Sequence, residues 1–418
     1  MEAAVRATRS LSARSKRLAL LLIGAACVGA AGGVLSALFL GSLNWATTMR
    51  TGHPWLVWLL PVGGLAVGLL YHRFGQPIAG GTSLVLDAAH VPDGEVPSRM
   101  APMIYAGSIT SHLVGASVGR EGAIVQIVSS VTDDVSRRLR VSYASRRTLL
   151  VCAIAAAFGG LFGVPFGGAF FALEAQRESR RHVGAFPLAL GAGLLSNAVA
   201  RALGVEHEYP FHIRDLPCGW PYVWRYVIAG VCFGAVAVLF IQTEHRIKDL
   251  MGRTVKWPPL RPVIGAVCVL ALVGAAGTRS YLGISSNLMV VALSGAAGVA
   301  AVAFLWKLVF TAVSLGSGFV GGEMFPLFIM GSLAGAQFAR VTDTSVPLFA
   351  ALGLIAVFAA ASNTPLTCMI IGIELFGWHG TLAYVIVCLI AVMASGDHTI
   401  YKPSPLLKRH LSGDNGKP

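Results

Sequence analysis

Apolar runs of near-spanning length recur from one end of the chain to the other, and no other feature restricts its fold so strongly. They cover Leu18–Leu40, Trp55–Tyr71, Leu149–Glu174, Val183–Leu203, Tyr222–Phe240, Leu260–Gly277, Gly298–Leu315, Val346–Ala361 and Thr381–Ser395. About 20 apolar residues cross the hydrocarbon core as a helix. A backbone in lipid must satisfy its own polar groups, which leaves helices or closed barrels. The expected class is all-α, a polytopic membrane protein. Charged residues make up only 12% of the chain, against about 25% in soluble domains. Arg6, Arg9, Arg14, Lys16 and Arg17 precede the first run, and no small-residue cleavage site follows it. The first helix is therefore expected to be retained and not removed as a signal peptide.

The net charge of +13 does not call for a nucleic-acid partner. The basic residues sit in short loops between apolar runs, as the positive-inside rule requires of cytoplasmic loops. Residues 137–147 (Arg137, Arg138, Arg140), residues 245–261 (Arg246, Lys248, Arg253, Lys256, Arg261) and the tail with Lys402, Lys408 and Arg409 are expected inside. The 204–219 loop, with Glu206, Glu208 and Asp215, is expected outside. The cysteines at 27, 152, 218, 232, 268, 368 and 388 lack ligand-like spacing and read as small buried hydrophobes. No P-loop, zinc spacing, nucleophile elbow or catalytic polar cluster is present. Neither an enzyme nor a cofactor is expected.

The sequence also repeats itself. "AAFGGLFGVPFGGAFFALE" (156–174) recurs as "AVFAAASNTPLTCMIIGIE" (356–374), matching Phe158 with Phe358, Pro165 with Pro365 and Glu174 with Glu374. Upstream, "LVGASVGREGAIVQI" (113–127) aligns with "LGSGFVGGEMFPLFI" (315–329), matching Gly119 with Gly321 and Glu121 with Glu323. Segment 149–174 has Arg146 and Arg147 before it and Arg177, Arg180 and Arg181 after it. Both flanks then face the cytoplasm, and the segment enters and returns as two half-helices broken at Gly163–Pro165. Its counterpart, 346–376, is flanked by the nearly neutral Arg340 and Asp343 before and Trp378 and His379 after, which suits the other side. A hairpin opening inward, repeated as one opening outward, is an inverted-topology repeat. Such repeats place their site at the midplane, between broken helices.

Three glycine-rich breaks precede short apolar helices, at 79–85, 119–125 and 321–328. Free N–H groups at a helix start carry about half a positive charge and bind anions. Three converging helix starts would hold an anion without a full cation, so that it can leave again. Glu121, beside Arg120, has two readings. It either caps its own helix, or it competes with the anion for the same amides and swings away when protonated. Thr82 and Ser83 are anion donors or simple N-caps, and Tyr401 is a donor or an interfacial aromatic anchor. Lys307 reads as snorkelling to the interface, His112 as a satisfied core histidine, and Glu174, Glu374 and Glu323 as structural carboxylates bonding backbone.

"GREGAIVQ", "GGEMFPLF" and "AAFGGLFGVPFGGAFFALE" resemble the CLC family of anion channels and anion/proton antiporters over roughly residues 18–405. The resemblance implies a homodimer with one pathway per subunit, Glu121 as the external gating glutamate, and the Tyr401 hydroxyl at the inner end of the anion site. The chain departs from the chloride-type pattern. Gly81-Thr82-Ser83-Leu84-Val85 replaces G-S-G-I-P, and Gly322-Glu323-Met324-Phe325-Pro326 replaces G-I-F-A-P. Ala175 stands where chloride/proton antiporters carry their inner proton-transfer glutamate, and there is no room for CBS domains. "GTSLVLDAAH", "RMAP" (99–102), residues 307–323 and "FALE" instead look like the bacterial fluoride-exporting clade, although that clade has a valine–threonine pair at Met324-Phe325.

Fluoride binds its water more tightly than chloride does, so a site must offer closely spaced donors in exchange. The candidates are Gly81, Thr82, Ser83, Gly119, Gly122, Met324, Phe325 and Tyr401. The expected function is fluoride/proton antiport that exports fluoride, with Glu121 as the proton-linked gate, in the inner (plasma) membrane of a bacterium. A chloride-selective transporter or a passive chloride channel is the alternative. The expected layout is a cytoplasmic N-terminus (1–17), a first membrane repeat (18–203), an extracellular connection (204–221), a second repeat (222–405) and a cytoplasmic tail (406–418).

Overall fold

The computed structural model describes residues 2–78, 80–89, 94–175, 183–207, 211–214, 216–217, 219–296, 298 and 300–401, with side chains from residue 15 onward except residue 16. Arg177, Arg180, Arg181, Glu208, Asp215, Cys218, Lys402, Lys408 and Arg409 therefore lie outside the described residues. The helices are α1 (Glu2–Gly52), α2 (Leu60–Phe74), α3 (Gly81–Ala88), α4 (Met100–Val114), α5 (Glu121–Arg138), α6 (Tyr143–Phe162), α7 (Pro165–Glu174) and α8 (Phe186–Ala202). They continue as α9 (Trp220–Thr254), α10 (Leu260–Ala276), α11 (Ser286–Ser294), α12 (Ala303–Ser317), α13 (Met324–Val341), α14 (Val346–Ser362), α15 (Pro365–Phe376) and α16 (Thr381–Ser395). Among the described residues, seven helical stretches are long and apolar enough to span a bilayer. The protein is an all-α, multi-pass membrane protein.

The second set of helices reproduces the packing of the first. α1 lies on α6 and α8, as α9 lies on α14 and α16. The centre is built from α5, α6, α13 and α14, buried along most of their length. Leu20, Trp45, Val267 and Met393 project outward from α1, α10 and α16. So many large apolar side chains facing water would be an anomaly, but facing lipid they cost nothing. Half of the described cysteines follow suit. Cys152, Cys368 and Cys388 are buried, whereas Cys27, Cys232 and Cys268 are exposed, so the expectation of burial holds for the inner helices only.

Both broken hairpins form. α6 ends on Gly163 in the left-handed region, and α7 starts at Pro165. α14 ends on Asn363, also left-handed, and α15 starts at Pro365. A left-handed residue closes a helix, and proline at the first helical position lacks only an N–H that had no acceptor anyway. The remaining free amides are capped across the repeat. Phe166 N and Gly167 N donate to the Glu374 carboxylate (2.9 and 2.7 Å). Leu366 N and Thr367 N donate to Glu174 (2.9 and 2.6 Å), and Thr367 Oγ1 adds a third bond (2.7 Å). Each carboxylate thus sits at the positive end of the other repeat's half-helix.

The symmetry corrects one alignment made from sequence. Gly119 and Gly322 exchange both backbone bonds, each 2.7 Å long. Ser314 Oγ accepts from Ser117 N (3.0 Å) just as Ser111 Oγ accepts from Val320 N (3.2 Å). α4 and α12 end on left-handed Gly115 and Gly318, and α5 and α13 begin at Glu121 and Met324. Equivalent residues here are 203 apart, so Glu121 corresponds to Met324, and Arg120 to Glu323. Matching the two glutamates by identity had slipped the register by one residue. A Cβ on Gly119 would lie 2.6 Å from Pro326 Cδ, so only glycine lets the two loops meet.

Candidate functional site

Where the two loops meet, the starts of α3, α5 and α13 converge on a cavity of about 760 Å³. Gly81, Thr82, Ser83, Gly122, Met324 and Tyr401 all line it. The first N–H groups of each helix have no intrahelical acceptor. Neither Thr82 nor Ser83 is an N-cap, because Gly80 takes that place on α3 with no side-chain cap bond. Thr82 Oγ1 accepts from Gln126 Nε2 (3.1 Å), which leaves its own hydroxyl proton for another acceptor. The Tyr401 ring packs edge-on against Phe171 (6.0 Å). Its hydroxyl is buried without a hydrogen-bond partner among the described residues. A buried phenol normally finds a partner, and this one faces a polar cavity.

Two of the expected anion contacts are placed differently. The Gly119 N–H is spent on Gly322 O, so Gly119 is a strut between the loops. Phe325 does not line the cavity, and its buried ring carries the Arg120 guanidinium 4.9 Å above it.

Glu121 is 2% exposed and stands at the first position of α5. Its carboxylate accepts from Arg120 Nε (3.2 Å) and Arg120 N (3.3 Å). Arg120 lines a second cavity, which shares no lining residue with the first. One residue further on, Gly122 lines the first cavity. Glu121 is the residue between them.

Several polar residues escaped the sequence reading. Gln126, one turn beyond Gly122 on the same face of α5, lines the first cavity and donates to Gly122 O (3.2 Å). Its spacing from Gly122 could have revealed it. Glu323 was expected to bond backbone amides. Instead it faces the cavity, and its carboxylate has no hydrogen bond among the described residues. Lys307 does not snorkel. It is fully buried, and its Nζ donates to Ser117 Oγ (2.9 Å), Tyr281 O (3.3 Å), Gly283 O (3.0 Å) and Ser285 Oγ (2.9 Å). His112 is buried as expected, with Nδ1 bonded to Ser108 O (2.7 Å) and Nε2 unpartnered. Asp133 draws in Arg137 and Arg146 (3.2 Å each), so part of the basic 137–147 loop is ion-paired.

An inverted repeat of apolar helices whose helix starts meet at one cavity is the architecture of a membrane transport protein. The chain belongs to the voltage gated chloride channel family, the CLC family, which matches residues 63–396. It is 38% identical to a "Chloride/fluoride channel protein" of Pseudomonas syringae pv. tomato, over 88% of this chain and 82% of that one. It is 27% identical to the "H(+)/Cl(-) exchange transporter ClcA" of Salmonella paratyphi A, over 97% and 91%. Among solved structures it superposes on a CLC-type fluoride/proton antiporter with a TM-score of 0.87 at 29% identity, covering 93% of this chain and 98% of that one. A slow cyanobacterial Cl-/H+ antiporter shares the fold, with a TM-score of 0.78 at 19% identity over 95% and 99%.

Proposed function

We propose that the protein exchanges fluoride for protons and exports fluoride across the inner membrane of a bacterium, as a homodimer with one pathway per subunit. The observation that carries this reading is the position of Glu121, a single carboxylate between two cavities at the start of α5. Ionised, it is held by Arg120 and occupies the positive end of the helix, where an anion would otherwise sit. Protonated, it loses both attractions and can leave that place to fluoride. Each turn of the gate thus moves a proton one way and admits an anion the other way. No inner carboxylate is needed at Ala175 if Glu121 itself meets the inner cavity when it swings.

The anion contacts support fluoride. Thr82, Ser83 and Tyr401 hydroxyls, with the amides at Gly81, Gly122 and Met324, surround the cavity. Strongly held water is given up only for closely placed donors, and hydrogen bonds to a charged acceptor contribute about 1.5–3 kcal/mol each. Relatives named for chloride and fluoride keep the chloride-selective alternative testable. Liposomes carrying the purified protein, loaded with fluoride or chloride, should release fluoride much faster, with protons moving in the opposite direction. Equal or faster chloride release would overturn fluoride selectivity, and chloride release without proton movement would make the protein a channel.

A further inference from the structure

The second cavity is strongly cationic in a way the gate does not explain. It has a volume of about 1000 Å³, and Arg50, Arg120 and Arg279 line it without any Asp or Glu. Arg120 is paired with Glu121. Arg279 is fixed at the rim, its Nη1 donating to Pro54 O (3.0 Å). Arg50 is different. It is 8% exposed, its Nε is buried without a hydrogen-bond partner, and no ion pair is formed among the described residues.

Its place is built for it. The Arg50 side chain passes between Gly115 and Gly283, both at positive φ (98° and 63°). A Cβ on Gly283 would stand 2.7 Å from Arg50 Nη2, and one on Gly115 would stand 3.3 Å from Arg50 Cδ. Gly115 leads into the loop that carries Glu121. Gly283 belongs to the loop that Lys307 anchors through the carbonyls of Tyr281 and Gly283. Two cations thus converge on one short loop, and the cavity's lining holds no carboxylate to pair with them. Removing a charge from water costs several kcal/mol even after relaxation, unless an opposite charge compensates it. A guanidinium offers five donors in a fixed fork and no acceptor, so only an acceptor, and best an anion, completes it.

We infer that this cavity is an anion-capture site, in which Arg50, with Arg279 at the rim, holds a halide from the bulk before or after it passes Glu121. The inference rests on the exchange reading above and adds to it a second binding site on the other side of the gate. Asn44 and Thr47 on the walls supply neutral donors, so that the captured anion can leave. Arg120, shared between the cavity and Glu121, passes the anion on: when Glu121 is protonated, the freed guanidinium turns to the captured halide.

The test is the concentration dependence of transport by the full-length protein in liposomes, under a fixed proton gradient, with sodium fluoride outside. Arg50→Gln should raise the half-saturating fluoride concentration about tenfold, equivalent to about 1.4 kcal/mol, with the maximal rate within about twofold. Arg50→Lys should recover most of that loss, and Arg279→Gln should raise the value about twofold. Unchanged half-saturation in a folded Arg50→Gln protein would overturn the site. A lower maximal rate at unchanged half-saturation would do the same, because it would make Arg50 a support for the gate loop only. If Arg50→Gln does not fold, Asn44→Asp, which puts a carboxylate on an exposed wall of the cavity, should raise half-saturation instead, and no effect there would overturn the site. Absence of fluoride flux in wild type would refute fluoride exchange, and the same comparison run with chloride would then decide on the capture site. Absence of both fluxes would remove the transport reading and this site with it.

Discussion

The two repeats offer the same slot to two different dipeptides. At the start of α5 stand Arg120 and Glu121, and at the start of α13, turned over, stand Glu323 and Met324. The backbone around them is matched bond for bond through Gly119 and Gly322, and through Ser111 and Ser314. The side chains are not matched. The first repeat puts a cation in the second cavity and pairs a carboxylate with it. The second puts a carboxylate in the first cavity and follows it with an apolar residue. Duplication thus supplied the loop geometry twice, and divergence at two positions left the proposed gate in one repeat only.

The largest expected effect removes that gate. Glutamine in place of Glu121 keeps the shape and one oxygen to accept from Arg120 but carries no titratable proton, so Glu121→Gln should abolish proton-driven fluoride uptake in liposomes while the protein still elutes as a folded species. Retained coupling would mean that Glu121 is only a cap, and the two repeats would then differ without consequence.

A second difference between the halves is Lys307, whose equivalent in the first repeat is the apolar Ile104. Its ammonium serves four acceptors from two other segments of chain. Each buried acceptor left without a donor costs about 1–3 kcal/mol. Lys307→Met should therefore lower the melting temperature in detergent more than any other substitution named here. Stability equal to wild type would show that this loop needs no cation to hold it.

The reciprocal caps should instead behave alike. Each of Glu174→Gln and Glu374→Gln weakens charge-assisted bonds to two amides, at a cost of about 1–3 kcal/mol, with proton coupling retained. Loss of coupling in the Glu174 variant alone would break the symmetry and give that residue a role in proton movement. The smallest effect belongs to Glu323→Gln. With no hydrogen bond to lose, it should shift stability by less than about 0.5 kcal/mol, as read by the same melting measurement.

The fold was largely legible in the sequence because membrane insertion leaves few options. Apolar runs gave α1, α2, α6, α8, α9, α10, α12, α14 and α16 but not α4, α5, α11 or α13, charge asymmetry gave the hairpin at 149–174, and the spacing of Glu174 and Glu374 gave the duplication. The register at the site was harder to read. Identity drew Glu121 onto Glu323, whereas the helix caps at Gly115 and Gly318 set the true correspondence, and a cap is a backbone property that residue matching does not see. That Gly81, Thr82, Ser83, Gly122, Met324 and Tyr401 come together was legible from helix-start chemistry and family resemblance, and they line one cavity. Lys307 and Arg50 were not, because their surroundings come from loops far away in the chain, and an isolated cation near an apolar run looks the same whether it reaches for water or for carbonyls.

The crossed caps also have a consequence in time. The amide of Phe166 is met by a carboxylate 208 residues further along the chain. At about 5–20 residues per second of synthesis, the first hairpin waits roughly 10–40 s in the membrane with its half-helix open. Through that interval the nascent protein holds bare N–H groups within the bilayer, where each unsatisfied one costs several kcal/mol. The first half is a template completed by the second, and a ribosome that stalls before Glu374 leaves an unfinished insertion for quality control to recognise.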